Sequence, residues 1–406
     1  MGKGSNSSGL RRYNERVLLT TLRNLGSASK SDLAQIVNLT PQAVTRIIDD
    51  LDSSGLVSRR GKRMGGKGQP SVLYSVEPGG AYSIGVKVGR VHLEILLMDF
   101  SGAVLERRSF RYKTPEPGFV METIAESSLE LTELLPENKR DRLLGIGIAM
   151  PWFMSEWAEQ TQMPAEVAQR WADCNFDSEM RARTDLRVII ENDCAAAAIA
   201  ELLFGHGVEL SDFLYVNIGT FVGGGLVLRS KLEPGFHGNA AALGSMLVPP
   251  SSLSSAPAAS GEYELLLNRA SLFALRRHIN ANGIHLPRDK SIGTVIDEAR
   301  PQVQEWLDDC ANSLVFTCLT ASALLDLEAI VIDSVMPRHL VGELVDMVAR
   351  RIQRQAVAGT FIPEILTGKI GADAVSRGGA ILPFYADFAP DKSVLLKGGI
   401  PARVAI

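Results

Sequence analysis

Residues 187–204 read RVIIENDCAAAAIAELLF, and they decide the class of the body. Val188, Ile189 and Ile190 are the β-branched run of a buried strand. The strand ends at Glu191-Asn192-Asp193 and runs straight into an alanine-rich helix from Cys194 to Phe204. Working outward, residues 143–151 form a second buried strand that ends in a turn at Pro151. Ser83–Val88, Arg90–Phe100 and Ala103–Tyr112 are three strands joined by tight turns, one of them Ser101-Gly102, and a helix follows over Phe119–Leu135. Downstream, Phe213–Ile218 and Gly225–Arg229 frame a glycine loop, Gly219-Thr220-Phe221-Val222-Gly223-Gly224-Gly225. Strands alternating with helices indicate an α/β body.

The 406 residues suffice for two or three domains. The overall charge of −4 hides an asymmetry. Residues 1–76 carry 12 Lys/Arg against 5 Asp/Glu, a surplus of seven, so the remainder is eleven negative charges in excess. A basic head on an acidic body points to a polyanion as the partner of the head alone. The four cysteines, Cys174, Cys194, Cys310 and Cys318, form no CxxC pair and read as reduced thiols of a cytoplasmic protein. The leading MGKGSNSSG has no apolar core, so no signal peptide is expected, and no apolar run has the ~18–20 residues of a membrane span.

In the head, the pattern predicts a helix over Tyr13–Leu25 with Leu18, Leu22 and Leu25 on one face, stopped by Gly26. Ser29 and Asp32 make a capping box for a short helix burying Leu33, Ile36 and Val37. Thr40 then caps a third helix, with Pro41 at its first position. Val44, Ile47, Ile48 and Leu51 form its inward stripe, which turns Gln42 and Arg46 outward and leaves Ala43 and Thr45 on the flanks. Gln bonds adenine, a methyl meets thymine, and Arg takes guanine or phosphate, so this helix can read a major groove. Asp49 repels phosphate and is expected just outside the contact. Arg59 to Pro70 carries five basic residues and four glycines, and Val72, Tyr74 and Val76 alternate after it. Strand, basic loop and strand make a wing, with Arg60, Lys62, Arg63, Lys67 and Gln69 as its DNA contacts. Pro78-Gly79-Gly80 reads as the hinge to the body.

From Arg12 onward the chain resembles the ROK family of sugar kinases and sugar-responsive repressors. The markers are Ser29–Val57, Gly68-Gln69-Pro70, Gly145–Pro151, Glu191-Asn192-Asp193, the 219–225 loop and Gly378-Gly379-Ala380-Ile381-Leu382-Pro383. The resemblance implies a winged helix-turn-helix followed by a two-lobed actin/ribonuclease-H-like α/β body. The expected divisions are a tail at 1–9, the DNA-binding head at 10–78, a first lobe at 79–200 and a second at 201–406, with the last helices returning to the first lobe.

Departures from the family pattern carry as much information. ROK kinases open the first hairpin with an Asp-x-Gly-Gly-Thr phosphate loop, whereas the corresponding run here is Lys87-Val88-Gly89-Arg90-Val91. Phosphoryl transfer depends on positioning and metal electrostatics, so this change should abolish it. The family's Gly-Glu-Ile-Gly-His signature corresponds to Ala241-Ala242-Leu243-Gly244-Ser245, and a cysteine-free stretch, 249–262, replaces its zinc motif. No cofactor and no zinc are expected.

Asn192 and Asp193 remain, at a strand end opening onto a helix N-terminus, where α/β proteins bind ligands. In the kinases the matching aspartate takes the sugar hydroxyl proton; here it is expected to accept a hydroxyl hydrogen bond from an effector, the alternative being a plain helix cap. Trp152, beyond the Pro151 turn, is a candidate to stack on a sugar face, and Asn239 and Ser245 flank the altered signature. The expectation is a cytoplasmic sugar-controlled regulator of carbohydrate genes, acting on operator DNA as a homodimer or dimer of dimers, with no membrane partner. A sugar kinase with an added head, and a protein whose pocket has decayed, are the competing readings.

Overall fold

The computed structural model describes residues 7–63, 71–156, 158–258, 261–286, 292–355 and 358–390. The head is built from α1 (Ser7–Leu25), β1 (Ala28–Ser29), α2 (Lys30–Ile36), α3 (Pro41–Ser53), β2 (Val57–Arg63) and β3 (Ser71–Val76). The strands form a sheet in the order β1-β3-β2, so three helices and a small antiparallel sheet make a winged helix-turn-helix. Gly26 ends α1 at φ +71°, a left-handed conformation open to glycine. Leu18, Leu19 and Leu22 pack on Leu33 and on the α3 stripe Val44, Ile47, Ile48 and Leu51, all buried. Three residues depart from the expected pattern, Val37 being half-buried as the C-cap after α2. Leu25 is 48% exposed and Ile36 57% exposed, because each lies in the last turn of its helix, beyond the reach of the small core.

The body continues with β4 (Tyr82–Val88), β5 (His92–Asp99), β6 (Val104–Arg111), α4 (Pro117–Glu133), β7 (Leu143–Met150), α5 (Ala158–Thr161), α6 (Ala165–Asp173), α7 (Phe176–Arg181) and β8 (Val188–Asn192). Their sheet order is β6-β5-β4-β7-β8, with β4 antiparallel to β5 and parallel to β7. Ile84, Val86, Leu93, Ile95, Ile146 and Ile148 line one face and pack against Val120 and Ile124 of α4.

Next come α8 (Asp193–Phe204), β9 (Phe213–Ile218), β10 (Val222–Leu228), β11 (Lys231–Leu232), β12 (Leu247–Val248), β13 (Glu264–Leu265), α9 (Leu272–Ala281), α10 (Arg300–Leu325), β14 (Ala329–Ser334), α11 (Arg338–Arg354), β15 (Glu364–Thr367) and α12 (Ala374–Phe388). The second five-stranded sheet runs β11-β10-β9-β14-β15, with β14 parallel to both β9 and β15. Every residue of β14 is buried, as a central parallel strand requires.

Two compact units result. One holds residues up to Glu191 together with those from Gly379 onward, and the other spans Asn192–Gly378. The division falls at Glu191/Asn192, nine residues before the boundary drawn from sequence, because α8 packs on β10. The reason is visible in the glycines: a Cβ at Gly225 would stand 2.4 Å from that of Ala198, and one at Gly223 2.6 Å from Cys194 Sγ. The head belongs to the first unit, and the expected hinge is a pinned corner: Pro78–Gly80 is a 3₁₀ turn whose Gly80 is buried.

Candidate DNA-reading and effector sites

Thr40 starts α3 as expected, its Oγ1 accepting from Ala43 N at 3.3 Å, with Pro41 at the first position. Burial of the Val44–Leu51 stripe leaves Gln42, Thr45 and Arg46 exposed and Ala43 half-buried. The cations around this face differ in how they are held. Arg63 pairs with Asp32 at 2.9 Å, Lys30 with Asp49 at 2.5 Å, and Arg59 with Asp52 at 3.2 Å. Arg60 turns to the wing base, donating to Ser75 Oγ at 2.8 Å with Glu77 3.9 Å away. Arg46 and Lys62 are exposed. Asp49, expected just outside the contact, is the partner of Lys30. Lys67 and Gln69 lie outside the described residues.

Between α2, the start of α3 and β3 lies a cleft of about 710 Å³, lined by Ser29, Lys30, Ser31, Gln35, Thr45 and Ser71 among others. Apart from Thr45, none of these was singled out as a contact from the sequence, where Ser29 showed only its capping role. Their convergence is tertiary, and no spacing signal announces it.

At the start of α8, the helix cap is Asn192, whose Oδ1 accepts from Cys194 N at 3.0 Å and Ala195 N at 3.2 Å. Asp193 is the first helical residue and its Oδ1 accepts from Cys194 N at 2.9 Å. Both side chains are half-buried. Beneath them, burial pushes the Cys194 thiol well above its ordinary value. The hairpin is shorter than its glycines suggested: Ile218 pairs with Val222, so only Gly219-Thr220-Phe221 connects the strands. The carbonyls of Gly219 and Thr220 accept from Leu272 N (3.0 Å) and Phe273 N (3.1 Å), the first amides of α9. Gly223 and Gly225 face α8, whereas Gly224 faces Leu243, so the 243–245 turn packs on the opposite face of the sheet. Asn239 and Ser245 are exposed in that region. Trp152 is half-buried and belongs to the first unit.

Lys87 is half-buried on β4, opposite Glu94, which itself pairs with Arg107 at 2.6 Å. Burial, and next to it the charges of Lys87, Arg111 and Arg107, outweigh Glu94 and hold the His92 imidazole below its ordinary range. The β4–β5 turn is tied by Gly89 N to His92 O (2.9 Å) and by Tyr112 Oη to Gly89 O (2.5 Å). Pro249 and Ser255 are held by side chains: Arg269 Nη1 donates to Pro249 O at 2.6 Å, and Ser255 Oγ meets His278 Nδ1 at 2.7 Å. Among the described residues, no group of three or more His, Cys, Asp or Glu is gathered as metal ligands.

Comparison with known proteins follows this division. Residues 13–62 match the sequence profile of the MarR family. The xylose repressor of Caldicellulosiruptor bescii is 24% identical over 235 residues, 58% of this chain and 58% of that protein. This chain thus aligns with less than two thirds of that relative. The crystal structure of a ROK family transcriptional regulator, a homologue of the E. coli MLC protein, has a TM-score of 0.69 at 22% identity, over 94% of this chain and 97% of that one. A ROK family glucokinase from Streptomyces griseus, solved with glucose and AMPPNP, has a TM-score of 0.56 at 21% identity, over 74% of this chain and 99% of that one. At these identities the likenesses show the fold alone. The ROK sequence profile itself covers residues 83–384, most of the chain, and the protein belongs to the ROK family.

Proposed function

We propose that the chain is a sequence-specific regulator of transcription, a repressor of carbohydrate uptake or catabolism genes, controlled by a sugar or sugar derivative bound in its ROK body. The observation that carries this reading is the exposed Gln42, Thr45 and Arg46 face of a capped recognition helix, joined in one chain to a ROK body. Phosphate contacts from Arg60, Lys62, Arg63, Lys67 and Gln69 would set register, and the α3 side chains would read bases. The sequence likeness to the xylose repressor supports the class. Asn192 and Asp193 are the favoured effector contacts, with Trp152, Asn239 and Ser245 as further candidates. The protein would act in the cytoplasm as a homodimer or dimer of dimers. Among the described residues, no helix is long and apolar enough to cross a membrane.

The kinase reading is disfavoured by Lys87. A cation at the end of β4 cannot organise magnesium as the phosphate-loop aspartate of the kinases does. The outward carbonyls of the 219–221 turn are committed to α9. The test is selection from a random duplex library, paired with a coupled ADP assay over a sugar panel. The full chain should enrich a defined site and release no sugar-dependent ADP. Failure to enrich any site, or ADP release that disappears in Asp193→Asn, would reverse the assignment.

A further inference from the structure

We infer that Arg142 is a positioning residue for the recognition helix, and that together with the end of α12 it fixes the winged head to the body where a hinge was expected. The inference rests on reading the head as the DNA-binding part.

Arg142 stands just before β7, in the body, yet its guanidinium reaches the head. Its Nη2 donates to Ser54 O at 3.3 Å, and its Nη1 donates to Gly55 O at 3.2 Å and Gly80 O at 3.1 Å. Ser54 is the C-cap of α3, so a fixed cation sits at the negative end of the recognition helix and satisfies the C-cap carbonyl. The connecting corner is tied independently: Glu77 N donates to Leu56 O at 2.9 Å, Phe100 N to Pro78 O at 3.0 Å, and Lys139 Nζ to Gly79 O at 3.3 Å. A Cβ on Gly80 would stand 2.8 Å from Gly55 O. Glycine serves here to let two backbones touch, and it grants no freedom.

A second strap holds α1. Phe100 is fully buried, with its ring 4.8 Å from that of Phe388 and 5.5 Å from that of Phe384 in α12. The Arg23 guanidinium of α1 lies 4.9 Å over the same Phe100 ring, and Arg16 Nη1 donates to Ala389 O at 3.1 Å. Burial lowers the Arg23 pKa to about 10. At its other end, α12 presses Gly378 against α8, where a Cβ would stand 2.3 Å from Ala196 O. The Gly378–Pro383 motif thus belongs to α12.

The test uses the full chain and a duplex selected with wild type. Arg142→Met keeps the stem and removes the three hydrogen bonds, and Phe388→Ala trims a half-buried ring. Arg142→Met should speed amide exchange at residues 54–57 and 77–81 about tenfold. Operator binding should weaken by a similar factor with the salt slope unchanged, because Arg142 meets no phosphate. Arg142→Lys should recover part of both. Phe388→Ala should speed exchange along 16–25 and decides the matter if Arg142→Met fails to fold. Wild-type exchange and binding in both variants would restore the hinge. A flattened salt slope in Arg142→Met would make Arg142 a phosphate contact, against the positioning role. If wild type selects no duplex, the functional reading fails, and the exchange data still decide the brace.

Discussion

Asp32→Asn should tighten DNA binding, although it removes a contact from the head. Asp32 closes the capping box of α2, its Oδ2 accepting from Ser29 N at 3.0 Å while Ser29 Oγ accepts from Asp32 N at 3.2 Å. Its Oδ1 accepts from Arg63 Nη2 at 2.9 Å. The Arg63 hydrogen bond first, then those with Ser29, hold the Asp32 carboxyl down to about 2 from an ordinary 3.8. Asparagine keeps a carbonyl oxygen for Ser29 N and releases Arg63. In wild type, Arg63 must leave Asp32 to meet a phosphate. The pair is 55% and 30% exposed, so forfeiting it costs little, at most about fivefold in affinity. Asp32→Asn should return that factor on operator and random duplex alike, because phosphate contacts carry no sequence information. Fluorescence anisotropy on both duplexes at fixed salt measures it. Tightening on the operator alone, or weakening on both, would refute the reasoning. The pH dependence has a definite sign. A carboxyl depressed in the folded state stabilises the head above about pH 4 and loses that contribution as pH falls toward 2. The melting difference between wild type and Asp32→Asn should shrink over that window.

Three further outcomes are expected. Arg46→Ala should cost operator binding about 1–3 kcal/mol if Arg46 takes a base edge, while Lys62→Ala weakens all duplexes alike and flattens the salt slope; titrations at two salt concentrations separate them. Asp309→Ala should destabilise the body by about 3–5 kcal/mol in calorimetry, because it strands Arg269, only 5% exposed and paired with Asp309 at 2.6 Å. A thiol reagent at pH 8 should label the native chain slowly and all four cysteines on unfolding, since burial raises Cys174 to about 11, Cys318 to about 12, and Cys194 and Cys310 as well.

What the sequence discloses is what is local. Ser29–Asp32 and Thr40–Pro41 set their helices through contacts within four residues, so the α3 stripe and its exposed face were legible in full. The same local cues misled where a distant partner decides. Gly79-Gly80 reads as a hinge until Arg142, more than sixty residues on, is seen to hold it. Gly223–Gly225 reads as a loop, but those residues are strand, bare of side chains so that α8 and Leu243 can pack on its two faces. Ion pairs such as Arg63–Asp32, 31 residues apart, belong to the same class of invisible fact. At Asn192-Asp193, two equally strong N-cap residues precede the alanine-rich helix, so a cap there was within reach. Separating Asn192 from Asp193 needed the geometry.

The most direct measurement is operator affinity with and without saturating sugar, over a panel of sugars and sugar phosphates, in wild type and Asp193→Ala. A ligand shifts binding only if it favours one state of the body over another. One carboxylate hydrogen bond supplies about 1.5–3 kcal/mol. At least one sugar should therefore change wild-type operator affinity, and Asp193→Ala should bind that sugar at least about tenfold more weakly while keeping its operator. An Asp193→Ala protein that binds the sugar and releases DNA as wild type does would place the effector elsewhere. A wild type indifferent to the whole panel would contradict sugar control itself.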